Sequence, residues 1–225
     1  MFFGQYLLNN VEQRPDGTAL ITENSILSYK QLNEESNRLA NSLAGLGLGV
    51  GDRLAVHIKS GVEWILIWYA CQKLGIAVVP LHLRLMVDEI ARAVNLAEAS
   101  ALVYDANYEE NAARIQQECS RVKLFIRVGI SNQELAGEER VSGALPWESL
   151  RGTDCTEAQI ELDDDLPAVI LFTSGTTGVP KGVLRTQQMV CSHAAVLAEE
   201  NPDSDRSNIM LTPAPLYHTA GLFCI

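Results

Sequence analysis

Thr173-Ser174-Gly175-Thr176-Thr177-Gly178-Val179-Pro180-Lys181-Gly182 gathers hydroxyls, glycines and one lysine into ten consecutive residues. Residues this small leave backbone N–H groups bare and let a bulky anion come close. Lys181 adds a compact positive charge with three donors on a flexible stem. The chemistry open to such a stretch is the cradling of an anion, and a polyphosphate is the natural choice. The ordinary P-loop, G-x-x-x-x-G-K-[ST], is not what stands here. Counted from Gly175, Pro180 replaces the second glycine, and Gly182 occupies the place of the magnesium-binding Ser or Thr. Ala168 to Phe172 upstream reads as a buried strand. Val183-Leu184-Arg185-Thr186 downstream reads as a second strand, where a P-loop would open into a helix. The stretch is therefore expected to be a phosphate loop between two strands. Residue types alone leave open a plain hairpin that binds nothing.

Further along stands Thr212-Pro213-Ala214-Pro215-Leu216-Tyr217-His218-Thr219-Ala220-Gly221. Taken by itself, His218 reads as a histidine hydrogen-bonded at a strand end. Other tempting clusters carry less. Asp163-Asp164-Asp165 is read as a solvated run before a strand, and no metal site is assigned. Cys191-Ser192-His193 are neighbours on a helix, so their side chains diverge, and no G-x-S-x-G exists for a hydrolase. Gly45-Leu46-Gly47-Leu48-Gly49-Val50-Gly51 follows a helix and precedes a strand, the reverse of the dinucleotide-binding order. It is read as a helix stop and turn.

The order of residues from Thr173 to Gly182 resembles the signature loop of the adenylate-forming superfamily, which holds acyl-CoA synthetases, luciferases and the adenylation domains of peptide synthetases. The resemblance implies ATP as ligand. It assigns Thr173, Ser174, Gly175, Thr176, Thr177, Gly178 and Lys181 to the β- and γ-phosphates. Pro213 to Gly221 is similar to the family's next motif, an aromatic–His pair lining the acid pocket, which makes Tyr217, His218 and Gly221 the substrate-pocket candidates. Peptide-synthetase domains usually carry an acidic residue there to pair the substrate's ammonium. Tyr217-His218 offers no carboxylate, so the resemblance favours a plain carboxylic acid and coenzyme A. Ser28 to Ala44, Val79-Pro80-Leu81-His82-Leu83-Arg84, Asp88-Glu89-Ile90 and Ala97-Glu98-Ala99-Ser100 also resemble the family's amino-terminal region. Relatives often place Asn where His82 stands.

The same resemblance puts the adenine-binding aromatic, the main Mg2+ ligand, the ribose-binding Asp and the catalytic Lys beyond Ile225, so no catalytic residue is assigned within this chain. The expectation is the amino-terminal part of an AMP-forming acid–thiol ligase, not competent for turnover alone. Two rivals stay open, a non-catalytic nucleotide-binding or scaffold fragment and a phosphoryl-transfer enzyme.

Composition narrows the partners. A formal charge of −11 over 225 residues argues against a nucleic acid, whose phosphates would be repelled. ATP must then be met by local donors. Five cysteines, Cys71, Cys119, Cys155, Cys191 and Cys224, stand singly with no C-x-x-C, as suits reduced thiols in a cytoplasm. Val62 to Leu83 is apolar enough to tempt a membrane reading, but Gln72, Lys73, Gly75 and Pro80 interrupt it. It is read as a buried helix, a Gly75 stop and a short strand. The apolar run Leu222-Phe223-Cys224-Ile225 needs cover, which marks the chain as cut short and the end as a surface that could mediate oligomers.

These motifs require a layered α/β/α framework with mostly parallel sheets, because strands and helices alternate from Arg53 to Val128. Ser28-Tyr29-Lys30-Gln31 is a capping box opening a helix to Ala44. Residues 1–130 are expected to form a first sheet region and 131–165 an acidic surface excursion. Residues 166–225 are expected to start a second sheet region carrying the phosphate loop, so that the whole is an incomplete two-sheet adenylate-forming N-terminal domain. Gln187 to Glu200 reads as a helix and Ile209 to Thr212 as a strand.

Overall fold

A computed structural model describes residues 3–129, 141–173, 180–200 and 209–222. Helix α1 (Gly4–Gln13) leads into the antiparallel pair β1 (Thr18–Ile21) and β2 (Ile26–Ser28). Helix α2 (Tyr29–Gly45) begins as its sequence predicts. The Ser28 hydroxyl accepts the Gln31 N–H at 3.2 Å, and the Gln31 carboxamide accepts the Ser28 N–H at 2.9 Å. Two free donors of the first turn are thereby satisfied. Leu32, Leu39, Ala40 and Leu43 recur at helical spacing and are buried.

Strand β3 (Arg53–His57) is followed by α3 (Val62–Leu74), β4 (Ala77–Pro80), α4 (Val87–Leu96), β5 (Ala101–Asp105), α5 (Glu109–Glu118) and β6 (Leu124–Val128). Trp64 and Trp68 of α3 are both fully buried, which explains an apolar run without a polar face. Gly75 ends α3 with φ of +67°, a conformation glycine adopts without strain. No helix among the described residues is long and apolar enough to cross a membrane.

The expected parallel sheet is present and larger than expected. Two later strands, β8 (Pro167–Thr173) and β9 (Lys181–Thr186), join it together with β7 (Leu145–Pro146), giving the order β7-β6-β5-β3-β4-β8-β9 among the described residues. All pairs are parallel except β8 with β9. Successive residues alternate between its faces. Leu54 and Val56 meet α1, α2 and α3 on one side, while Ala55 and Leu102 meet α4 and α5 on the other.

Three expectations are corrected. The strand at Ala168 does not open a second sheet: Val169 pairs with Val78, so β8 extends the first. Every residue of β4 is buried, and a buried strand left at an edge would strand its backbone N–H and C=O groups. The part of 131–165 that is described, from Val141 on, is no mere surface excursion. It supplies β7, buries Trp147 and Leu150, and lays its backbone on α2, where Asn41 donates to the carbonyls of Asp154 and Thr156 and Asn37 to that of Cys155. Ile209 to Thr212 pairs with no strand among the described residues, and Ile209, Met210 and Leu211 are exposed. Helix α6 (Gln187–Glu200) lies where its sequence places it, and a last short helix, α7 (Thr219–Leu222), closes the described part. Phe223, Cys224 and Ile225 of the apolar end lie outside it.

Candidate nucleotide and acid site

Strand β8 runs parallel to β4 and delivers Thr173 to the edge of the sheet where β3 and β4 also end. In open α/β sheets ligands collect at this carboxyl edge. The chain returns as β9, antiparallel, with Thr173 and Lys181 as direct partners. The two strands that the residue types predict on either side of the stretch are thus present. Thr173 and Lys181 are both exposed. Ser174, Gly175, Thr176, Thr177 and Gly178 lie outside the described residues.

The base of this hairpin is held by a buried relay that sequence reading missed. Gln187, the first residue of α6, donates to the Gln72 carboxamide oxygen at 2.7 Å and accepts the Phe3 N–H at 3.2 Å. Gln72 donates onward to the Ala168 carbonyl at 3.3 Å. A glutamine in an apolar run was the available signal, since a buried amide must find partners.

The second motif reaches the same edge. The Leu216 N–H donates to the Ser60 hydroxyl at 2.9 Å, just past β3. The Tyr217 ring meets that of His82, just past β4, in a T-shaped contact with centroids 5.0 Å apart and planes at 69°. The His218 N–H donates to the Pro215 carbonyl, while its own carbonyl accepts from Gly221 and Leu222. Its backbone thus closes a turn and opens α7, and its side chain is exposed. Gly221 is buried, and a Cβ there would stand 2.6 Å from the Ala214 carbonyl oxygen. Backbone occupies the space, so only glycine fits.

The structure therefore brings Thr173 and Lys181, at the facing ends of β8 and β9, and Tyr217, His218 and Gly221, beside and within α7, to one edge of the sheet, and adds Ser60 and His82. Neither addition was legible as a partner, because each meets a residue more than a hundred positions away. Nearby His57 ends β3 almost fully buried, its ring 4.6 Å from that of Tyr108. Burial lowers its pKa to about 4, outweighing the Leu81 backbone and the Asp105 carboxylate, which pull it upward. Among the described residues no group of three or more His, Cys, Asp and Glu is arranged to hold a metal ion. Asp163 instead uses its carboxylate to accept the Asp165 N–H at 2.9 Å.

A mostly parallel sheet covered by helices, with a strand pair returning at its carboxyl edge, defines an α/β class of protein, and comparison with known proteins supplies the family. The sequence profile of the family described as "AMP-binding enzyme" matches residues 7–225. The chain belongs to that family. A crotonobetaine/carnitine–CoA ligase of Salmonella agona is 36% identical over 177 residues, which cover 76% of this chain and 34% of that protein. The N-terminal domain of FACL13 from Mycobacterium tuberculosis superposes with a TM-score of 0.79 at 26% identity, covering 99% of this chain and 53% of that one. A long-chain-fatty-acid CoA ligase candidate from Rhodopseudomonas palustris shares the fold with a TM-score of 0.88 at 23% identity, over 100% of this chain and 54% of its own. The chain spans about a third of the length of the curated relatives it matches.

Proposed function

We propose that this chain is the part of an ATP-dependent carboxylic acid–CoA ligase that grips the triphosphate and the acid, and that it does not turn over alone. The observation that carries the reading is the β8–β9 hairpin, which holds Thr173 and Lys181 opposite each other at the carboxyl edge of the sheet. In the proposed reaction a carboxylate oxygen attacks the α-phosphorus of ATP, and the bond to the β-phosphate oxygen breaks. An acyl-adenylate forms and pyrophosphate leaves. A thiolate then attacks the acyl carbon and displaces AMP. The protein's share is alignment of the reactants and neutralisation of charge on the departing pyrophosphate. Lys181, Thr173 and the residues 174–178 between them have the donors for that. Tyr217, His218 and Gly221 shape the acid site. The segment carries no carboxylate to meet an ammonium group, which favours a plain acid.

Coenzyme A is the proposed acceptor because the curated relatives it matches at 35–36% identity carry CoA ligase in their names. A cytoplasmic setting fits the free thiols of Cys71, Cys119, Cys155 and Cys191. Mg2+ would accompany ATP, held by ligands outside this chain. The test is ATP–pyrophosphate exchange with crotonobetaine, crotonate, hexanoate, palmitate and benzoate. The enzyme of the complete reading frame is expected to exchange with at least one acid, and the 225-residue chain with none. Robust exchange by the short chain refutes the incompetence. ADP as product would move the reading to phosphoryl transfer. Calorimetry showing no ATP binding by either polypeptide would leave a scaffold.

A further inference from the structure

His82 and Tyr217 meet across a large sequence separation, and their surroundings make the contact directional. Leu81 extends β4 by donating its N–H to the Val56 carbonyl at 2.9 Å. His82 then opens a tight turn, its carbonyl accepting the Leu85 N–H at 3.1 Å. Inside that turn the ring nitrogen Nδ1 accepts the Arg84 N–H at 3.0 Å. An accepting Nδ1 carries no proton, so in the neutral ring the proton sits on Nε2. The turn therefore sets both the tautomer and the tilt of the imidazole, which meets the Tyr217 ring in an edge-to-face arrangement. One residue before, the Ser60 hydroxyl holds the Leu216 backbone. Tyr217 is half-buried between these two supports, whereas His218 beside it is exposed.

We infer that His82 is a positioning residue for Tyr217 and, through it, for the carboxylic acid, an inference that rests on reading residues 212–221 as the acid-site segment. Asparagine separates this role from a merely structural one. An Asn at 82 could accept the Arg84 N–H through its side-chain oxygen, as Asn does in tight turns, but it has no ring to set against Tyr217.

The measurement is exchange kinetics on the enzyme of the complete reading frame, using the acid of the panel above that exchanges fastest. His82→Asn is expected to raise the KM for the acid about threefold to tenfold, the worth of one aromatic contact, with the KM for ATP unchanged. Tyr217→Leu is expected to raise the acid KM at least as much. In the 225-residue chain, the ring-proton NMR signals of His82 should shift on Tyr217→Leu, and the melting temperature of His82→Asn should stay within a few degrees. If Tyr217→Leu raises the acid KM while His82→Asn leaves it alone, the inference is overturned and the acid-site reading survives. If neither Tyr217→Leu nor Gly221→Ala touches the acid KM, the acid-site reading falls and the inference with it. Equal rises in both KM values, or His82 signals indifferent to Tyr217, also overturn it.

Discussion

Thr173 and Lys181 stand opposite each other across β8 and β9, so both ends of the glycine- and threonine-rich stretch are pinned to one sheet. Lys181 is exposed at the start of β9. Under the proposed function its ammonium acts on charge that develops as pyrophosphate leaves, which is where a fixed donor lowers the barrier most. Lys181→Ala is expected to slow exchange about 100-fold and to leave the acid KM within about threefold. An unchanged exchange rate removes Lys181 from the phosphate role.

Gly221 tests the proposed acid-site segment through sterics alone. A methyl group there meets the Ala214 and Pro215 carbonyls, and both are backbone that cannot swing aside. Gly221→Ala must open the turn between Pro215 and Leu222, with a cost of about 1–3 kcal/mol. The acid KM should rise more than the KM for ATP, since the hairpin is not touched.

Lys73 and Glu157 join α3 to the strap after β7. The Lys73 side chain is only 1% exposed, and its ammonium is bonded by the Glu157 carboxylate and, at 2.9 Å, by Asn33. Burial lowers the lysine's pKa, and the carboxylate pulls it back up. Glu157→Gln keeps the shape and removes the charge. It is expected to cost about 2–3 kcal/mol in urea unfolding, less than a fully buried pair would, because Glu157 is partly open to solvent. Lys73→Met combined with Glu157→Leu should recover much of that loss.

His57 sets a pH dependence. Its pKa is about 4 in the fold against 6.5 when free. Between those values the unfolded chain binds a proton that the folded chain does not, so stability rises with pH. The contribution is complete above about pH 6.5 and lost as pH falls towards 4, about 3 kcal/mol at the most. Melting temperatures between pH 5 and 7, where most carboxylates stay ionised, should fall more steeply for the wild type than for His57→Leu. Parallel curves would show that the imidazole takes up its proton as readily in the fold as in the unfolded chain.

What the residues determine unaided is local. The capping box at Ser28 and Gln31, the Gly75 stop and the strand character on either side of the glycine- and threonine-rich stretch each depend on groups a few positions apart. The family could be recognised from one contiguous run for the same reason, because the ten residues that carry the resemblance, Thr173 to Gly182, are consecutive. Tertiary structure alone decided which sheet β8 joins, since an apolar strand pairs equally well in prospect with any buried neighbour, and only the unmet hydrogen bonds of β4 select it. It also decided that one carboxylate of the acidic stretch turns inward to Lys73, and that His82 and Ser60 receive Tyr217 and Leu216. Contacts of that kind depend on where distant loops come to rest on a shared sheet edge, and no spacing along the chain encodes them.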